Sequence, residues 1–328
     1  MKPASRQKLV AILEVLAEAD RPMGSNRIAQ ALELAGKPMS QRTVRYYLGL
    51  ADGLGLTKPV GRRGRVLTHR GRLEVESAQV VKKVGFVAAR VDELTYKMDF
   101  RLRQGRGSVV VNISSLPAEA LEEAKRLMRR VYEAGLAMGR RLAVVGPGQR
   151  LGPVQAGDDE AIVATICSVS INGVLLAHGI PTTSRFGGLL QLAGGKPAGF
   201  TQIITYEGTT VDPLEIFIKG RMTSVLEAAS SGEGVVGASF REVPAAAADA
   251  VARLGVRMQR AGLGGVLLVG RPGQALLDVP VSPGRVGIVV LGGLNPLAAV
   301  EEAAIPTTNR AMGTMMGFEQ LTDFTHCL

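Results

Sequence analysis

The chain is sparing with residues that secreted proteins and many enzymes depend on. Only two of its 328 residues are cysteine, Cys167 in an apolar run and Cys327 beside the C-terminus. No structural disulfide is therefore expected, and a reducing cytoplasm fits. Three histidines leave little material for imidazole acid–base chemistry. The sequence holds no P-loop, no nucleophile elbow, no zinc-ligand spacing and no paired histidines. The acidic trio Asp158, Asp159 and Glu160 has no second ligand cluster, so neither a metal nor a cofactor is expected. No apolar run approaches the roughly 18 residues needed to span a bilayer. The most apolar stretch, Val286 to Val300, is broken by Asn295 and Pro296 and reads as buried core. Charges interrupt the first twenty residues, which rules out the apolar block of a signal peptide.

What is present points to a folded chain of two or three domains, with 46% apolar residues and positive mean hydropathy. The charge is unevenly placed. Residues 1–83 hold 16 Lys+Arg and 7 Asp+Glu, hence +9, and the rest hold 39 − 16 = 23 and 29 − 7 = 22, hence +1. A cationic module for a polyanion is thus joined to a near-neutral body.

In the basic quarter, Ser5 can cap a first helix whose Leu9, Ile12, Leu13 and Leu16 share one face, ending near Asp20. Ser25 can cap a short second helix carrying Ile28, Ala29 and Leu32. Ser40 can cap a third, with Val44, Leu48, Ala51 and Leu54 inward. Gln41, Arg42, Thr43, Arg45 and Tyr46 then face outward, as the second helix of a helix-turn-helix requires for base contacts in the major groove. Two strand-like pieces, Leu56–Val60 and Val66–Thr68, flank a glycine turn carrying Arg62 and Arg63, with Arg65 behind. This is the form of a winged helix whose wing arginines lie along DNA phosphates. A protein-interaction module with a solvated basic face is the plainer alternative.

The body repeats itself. "VDELTYK" (91–97) returns as "VDPLEIF" (211–217), and "EAGL" (133–136) returns as "RAGL" (260–263). Pro117 answers Pro244, and "VVGPGQ" (144–149) answers "LVGRPGQ" (268–274). Each copy predicts a strand, a proline and a helix of about 19 residues. Those helices are lined by Leu121, Ala124, Met128 and Val131 in the first copy. Ala247, Val251, Leu254, Met258 and Ala261 line the second. Strands at Leu142–Val145 and Ala161–Cys167, or Val266–Val269 and Val286–Leu291, precede a short helix. The expected class is α/β (α+β), an N-terminal winged helix-turn-helix followed by an internally duplicated regulatory domain. The expected boundaries are 1–76 for the winged helix, 77–84 for a linker, and 85–322 for two repeats, about 85–198 and 199–322.

Each repeat closes on nearly the same heptapeptide, "GIPTTSR" (179–185) and "AIPTTNR" (304–310). Threonine hydroxyls, amides near glycines and a guanidinium fork suit a carboxylate or phosphate, which makes Thr182, Thr183, Arg185, Thr307, Thr308 and Arg310 candidate effector contacts. The competing reading is a buried turn kept by duplication, its arginine paired with an acid such as Glu302 or Asp212. His178 is a weaker ligand candidate against the reading of a packed histidine. Cys167 reads as a small buried apolar residue, the "PGQ" segments as turns, and Met312, Met315 and Met316 as core or subunit interface.

"GFVAARVDELTYKMDF", "ATICSVSINGVLLAHGIPTTSRFGGLLQ" and "AIPTTNRAMGTMMGFEQL" resemble the NrpR family of nitrogen-regulation repressors, and the likeness spans almost the whole chain. It implies a transcriptional repressor of nitrogen-assimilation genes on a palindromic operator, with 2-oxoglutarate as inducer. Many family members carry two regulatory domains where this chain carries one. A homodimer or larger assembly is then the expected route to a two-fold operator. The alternatives are a winged-helix regulator of another small anionic metabolite, or an enzyme acting on a small carboxylic acid.

Overall fold

The computed structural model describes residues 3–19, 21–72, 74–75 and 86–328, with side chains from residue 8 onward except that of Arg62. The linker expected at 77–84 and the helix end expected at Asp20 lie outside the described residues. The chain divides into two compact units, before and after residue 86. No helix among the described residues is long and apolar enough to cross a membrane.

The first unit holds α1 (Pro3–Ala17), α2 (Ser25–Leu34), α3 (Gln41–Gly53), β1 (Thr57–Pro59) and β2 (Arg65–Leu67). Leu9, Ile12, Leu13 and Leu16 of α1 close on Ile28 and Leu32 of α2 and Val44 and Leu48 of α3. Three sequence expectations shift. Helix α1 begins at Pro3, so Ser5 lies inside it rather than at its cap. The N-cap of α2 is Gly24, and Ser25 is its first helical residue. Leu54, expected inward, is 41% exposed at the end of α3, and Tyr47, at 7%, fills the core instead. Ser40 does cap α3, its Oγ accepting from the Thr43 amide at 3.2 Å.

The second unit opens with α4 (Val87–Lys97) and then presents two series of elements in one order. The first runs β3 (Ser108–Pro117), α5 (Leu121–Glu133), β4 (Arg141–Val145), the small hairpin β5 (Arg150–Leu151) and β6 (Val154–Gln155), β7 (Glu160–Ile166), α6 (Val169–Ala177) and β8 (Thr183–Ala193). After β9 (Lys196–Thr205), α7 (Pro213–Lys219) and α8 (Val225–Ser231), the second runs β10 (Gly234–Pro244), α9 (Ala248–Arg260), β11 (Val266–Val269), β12 (Arg285–Leu291), α10 (Asn295–Glu302) and β13 (Thr308–Gly317). β14 (Thr322–Asp323) and α11 (Phe324–Cys327) end the chain. Helices α5 and α9 have 13 residues each rather than about 19, because a three-residue 3-10 turn follows each proline.

The two five-stranded sheets are ordered β13-β3-β7-β4-β14 and β11-β12-β10-β8-β9. All pairings are antiparallel, so the fold is of the α+β kind. The last strand of each series leaves its own sheet. β8 pairs with β10, Phe186 opposite Phe240, and β13 pairs with β3, Arg310 opposite Ile113.

Both cores are shared in the same way. One takes Met128 and Val131 of α5 with Leu297 and Val300 of α10; the other takes Val251 and Met258 of α9 with Ile171 and Leu175 of α6. Alternation along a strand serves both: Ala161 and Val163 of β7 face the first core, Ile162 and Ala164 the second.

Matching hydrogen bonds recur at matching places. Ser170 Oγ accepts from the Val110 amide and donates to the Val110 carbonyl, both at 3.0 Å. Asn295 accepts from the Gly237 amide at 2.9 Å and donates to its carbonyl at 3.0 Å. The positions correspond, since 295 − 170 = 125 and 237 − 110 = 127, close to the offsets of the sequence repeats. Gly237 is required here: a Cβ would lie 2.8 Å from Asn295 Oδ1.

A polar cluster is buried where α6 meets β10. Arg241, 1% exposed, donates from Nη1 to the Ser168 carbonyl and Asn172 Oδ1, at 2.8 and 2.5 Å. Its Nη2 donates to Ser168 Oγ and Ser239 Oγ, at 2.8 and 3.2 Å. The Nε hydrogen has no partner among the described residues. Burial pushes the neighbouring Cys167 thiol up to about 11, so it stays protonated and apolar, as its sequence context implied. Half-buried Asp212 caps α7, accepting from the Leu214 amide at 2.9 Å. Burial raises its carboxyl from 3.8 to about 7, opposed by the Leu214 amide and by Arg241.

Met128→Ala and Met258→Ala, one in each core, are each expected to cost about 2–5 kcal/mol. Because the cores share strands, calorimetry should show both lowering one transition; two transitions, each moved by a single substitution, would contradict the shared architecture. A second expectation concerns pH. A carboxyl that binds its proton more tightly when folded makes the native state lose stability as pH rises from about 4 to about 7. Asp212→Asn keeps an acceptor for Leu214 without titrating. It should flatten that limb in urea midpoints measured against pH, and an unchanged limb would count against the assignment.

Candidate functional site

On the first unit, the side chains placed outward by the α3 periodicity are outward. Gln41, Arg42, Arg45 and Tyr46 are exposed, while Val44, Tyr47 and Leu48 behind them are buried. Tyr46 stands 69% exposed, edge-on to Tyr47 with ring centroids 5.2 Å apart. Thr43 is engaged in the cap, its Oγ1 2.9 Å from Ser40 Oγ. Ser25, freed from a capping role, holds two members of the outward face: Gln41 Nε2 and Arg45 Nε each donate to its Oγ at 3.3 Å. This bond lies outside what helix periodicity can reveal, because it joins residues 16 and 20 positions apart.

The wing is a short antiparallel ladder pairing Thr57 with Leu67 and Pro59 with Arg65, joined through a 3-10 turn over Gly61–Arg63. Arg63 is exposed at its tip, and the Arg62 side chain lies outside the described residues. Arg65 is committed elsewhere. Its Nε donates to Asp52 Oδ2 at 2.8 Å, and Asp52 Oδ1 accepts from Thr57 Oγ1 at 2.5 Å. One carboxylate at the end of α3 thus ties both wing strands to the helix, and Arg65 serves as a fastening.

The two Ile-Pro-Thr-Thr segments enter β8 and β13, where each series crosses into the other sheet, and their surroundings differ. Arg185 Nη1 donates to Glu242 Oε1 at 2.9 Å and Ser282 Oγ at 3.0 Å. Burial pushes the Glu242 carboxyl up, but the Ser282 donors and Arg185 outweigh it, and the group sits below its usual range. Thr183 Oγ1 accepts from Arg285, and Thr182 Oγ1 makes only a 3.5 Å contact to the Ile180 carbonyl. In the second segment Thr307, 3% exposed, gives its amide and hydroxyl to Glu301 Oε2 at 2.7 and 2.6 Å. Thr308 and Arg310 are exposed. The Arg310 charge acts on Glu215, whose carboxyl is raised chiefly by burial and lowered in part by the Ala311 amide, Arg90 and Arg310.

The acids named from sequence are not the partners of these arginines. Glu302 instead accepts from Thr223, Val225 and Leu226 at the start of α8, and Asp212 caps α7. Glu242, which was missed, pairs with Arg185, and Glu301, also missed, holds Thr307 rather than an arginine. Arg241 was likewise missed, although an arginine within "GASFREV" was the available signal. His178 is exposed and uses Nδ1 against the Val174 carbonyl of its own helix at 2.8 Å. Met312 and Met316 are core, and the "PGQ" segments are turns with Gly148 and Gly273 at φ 68° and 67°.

Residues 84–323 match the family model described as NrpR regulatory domains NRD1 and 2, and residues 10–75 match the ribonuclease R winged-helix domain. A Methanosarcina mazei protein named global nitrogen regulator NrpRI is 33% identical, over 98% of this chain and 99% of the relative. Global nitrogen regulator NrpR of Methanocaldococcus jannaschii is 32% identical, over 90% of this chain and 51% of its own length. A crystal structure of a nitrogen repressor-like protein from Methanococcus jannaschii superposes with TM-score 0.62 at 25% identity, covering 73% of this chain and 99% of that one. Matched along nearly its full length, the chain belongs to the NrpR family of nitrogen regulators.

Proposed function

We propose that the protein is a DNA-binding transcriptional repressor of nitrogen-assimilation genes that acts in the cytoplasm, binds a palindromic operator as a homodimer or larger assembly, and is released by 2-oxoglutarate. The observation that carries this reading is the α3 surface: one face closed by core, the other presenting Gln41, Arg42, Arg45 and Tyr46 beside a fastened wing. Gln and Arg are the side chains that address adenine and guanine edges bidentately. Arg63 at the wing tip suits a phosphate. The body is read as a regulatory domain and not an enzyme. The common element order, the reciprocal strand exchange and the matched Ser170 and Asn295 bonds support its descent from an internal duplication into repeats of about 85–198 and 199–322.

Of the six candidate effector contacts, Thr308 and Arg310 have the freest polar groups. Arg185 and Thr307 already hold Glu242 and Glu301, so a dicarboxylate at those positions would have to compete with a protein carboxylate. We therefore assign the leading carboxylate contact to Arg310, with Thr308 two residues before it on the same strand. Release requires that 2-oxoglutarate bind a geometry in which the winged helices no longer match the half-sites, since only differential affinity shifts the equilibrium.

The test begins with a duplex enriched by the protein from a random pool, followed by anisotropy titrations. The enriched site should be two-fold, and millimolar 2-oxoglutarate should weaken its binding; unchanged affinity would remove the inducer while leaving DNA recognition intact. Arg45→Ala is expected to cost about 1–3 kcal/mol on the enriched duplex and less on a scrambled one, whereas Arg63→Ala should weaken both alike. Calorimetric titration with 2-oxoglutarate should show Arg310→Ala binding about ten- to a hundredfold more weakly, as loss of a charge-assisted hydrogen bond implies. Arg185→Ala should do less, and the reverse ranking would move the site to the first segment.

A further inference from the structure

The geometry points to a second anion site on the winged-helix unit, apart from the outward face of α3: a cleft between the α1–α2 turn and the wing that grips a phosphate of the DNA backbone. The cleft has a volume of about 630 Å3 and is lined by Arg21, Pro22, Gly24, Asn26, Arg27 and Arg63. This inference rests on the reading of the unit as DNA-binding and adds residues that the sequence did not single out.

Three independent features converge there. The first is charge. Arg21, Arg27 and Arg63 are exposed around one cleft, and none of them pairs with a carboxylate among the described residues. Three guanidinium groups gathered without a counter-charge repel one another, and an anion between them relieves that repulsion. The second is the start of α2. Its N-cap is Gly24, no side chain caps it, and no acid lies in its first turn. The positive end of a ten-residue helix is thereby left open beside the arginines, an arrangement that favours phosphate.

The third is rigidity. Met23 and Arg65 exchange backbone hydrogen bonds, Met23 amide to Arg65 carbonyl at 3.1 Å and the reverse at 3.0 Å. The turn before α2 is thus stitched to the wing as a short third strand. Gly64, at φ 123°, lies so close that a Cβ would come within 2.3 Å of the Met23 carbonyl group. Arg63, next to Gly64, is therefore held against the turn that carries Arg21 and leads into Arg27, so the cleft exists before DNA arrives. Such a contact supplies affinity and orientation without reading sequence.

The test uses the full chain with Arg21→Ala and Arg27→Ala combined, and with the Lys pair as the charge-preserving control. Affinity for a random-sequence DNA duplex is measured by anisotropy between 50 and 200 mM salt. Each phosphate contact contributes about 0.9 to the log–log salt slope, so losing the one held in the cleft should make it shallower by about 0.9. The affinity lost across that range then shrinks about 3.5-fold, and the Lys pair keeps the original slope. An unmoved thermal midpoint shows that the exposed substitutions leave the fold intact. If the unaltered protein binds the duplex and the Ala pair matches its slope, the cleft is not a phosphate site although DNA binding stands. If the unaltered protein fails to bind duplexes at all, the DNA reading falls and this inference with it.

Discussion

Reciprocal exchange of β8 and β13 is the constraint on which the regulatory body depends. Each series of elements builds a sheet that lacks a strand until the other delivers one. An unpaired row of backbone donors and acceptors is costly when buried, so neither series is complete alone. The same exchange explains why each core draws a longer helix from one series and a shorter helix from the other. It also gives the repeated heptapeptide a structural reason. Both copies are the crossing points, where the chain leaves a helix of its own series and enters the sheet of the other.

Nearly identical segments need not have identical surroundings. β8 lies inside its sheet, flanked by β10 and β9, whereas β13 lies at an edge beside β3. The inner copy has Glu242 and Ser282 at hand for Arg185, and the edge copy leaves Arg310 exposed. The buried Arg241 shows the same meeting of series. Its charge would be expensive in an apolar setting, and the oxygens of Ser168 and Asn172, from the other series, offset much of that penalty. The polar seam forms only when β10 and α6 are correctly placed against one another.

Much of this was legible as pattern. The apolar stripe of α1, the Ser40 cap, the outward face of α3, the paired strand–proline–helix runs and the strand positions follow from local rules of spacing and capping. What was missed is non-local. Nothing in the periodicity of β8 says that its partner is β10, because pairing is decided by the global fold. Leu54 misses the core because α3 ends at Gly53 and leaves it beyond the helix edge, while Tyr47, which the inward stripe did not include, packs beside Val44 and Leu48. Ser25 looked like a cap by residue type, but Gly24 took that place and the hydroxyl turned to Gln41 and Arg45. Arg65 looked free because Asp52, 13 residues earlier, belongs to another element.

The clamps at Ser170 and Asn295 hold strands of different bulk. A compact hydroxyl meets valine, and a longer carboxamide meets a residue with no side chain at all. Each pair fills the same space by a different division of it. Exchanging Gly237 and Val110 alone would leave a gap beside Ser170 and a collision with Asn295, so each seat depends on both of its residues. The likeness between the two series lies more in which atoms meet than in which residues supply them.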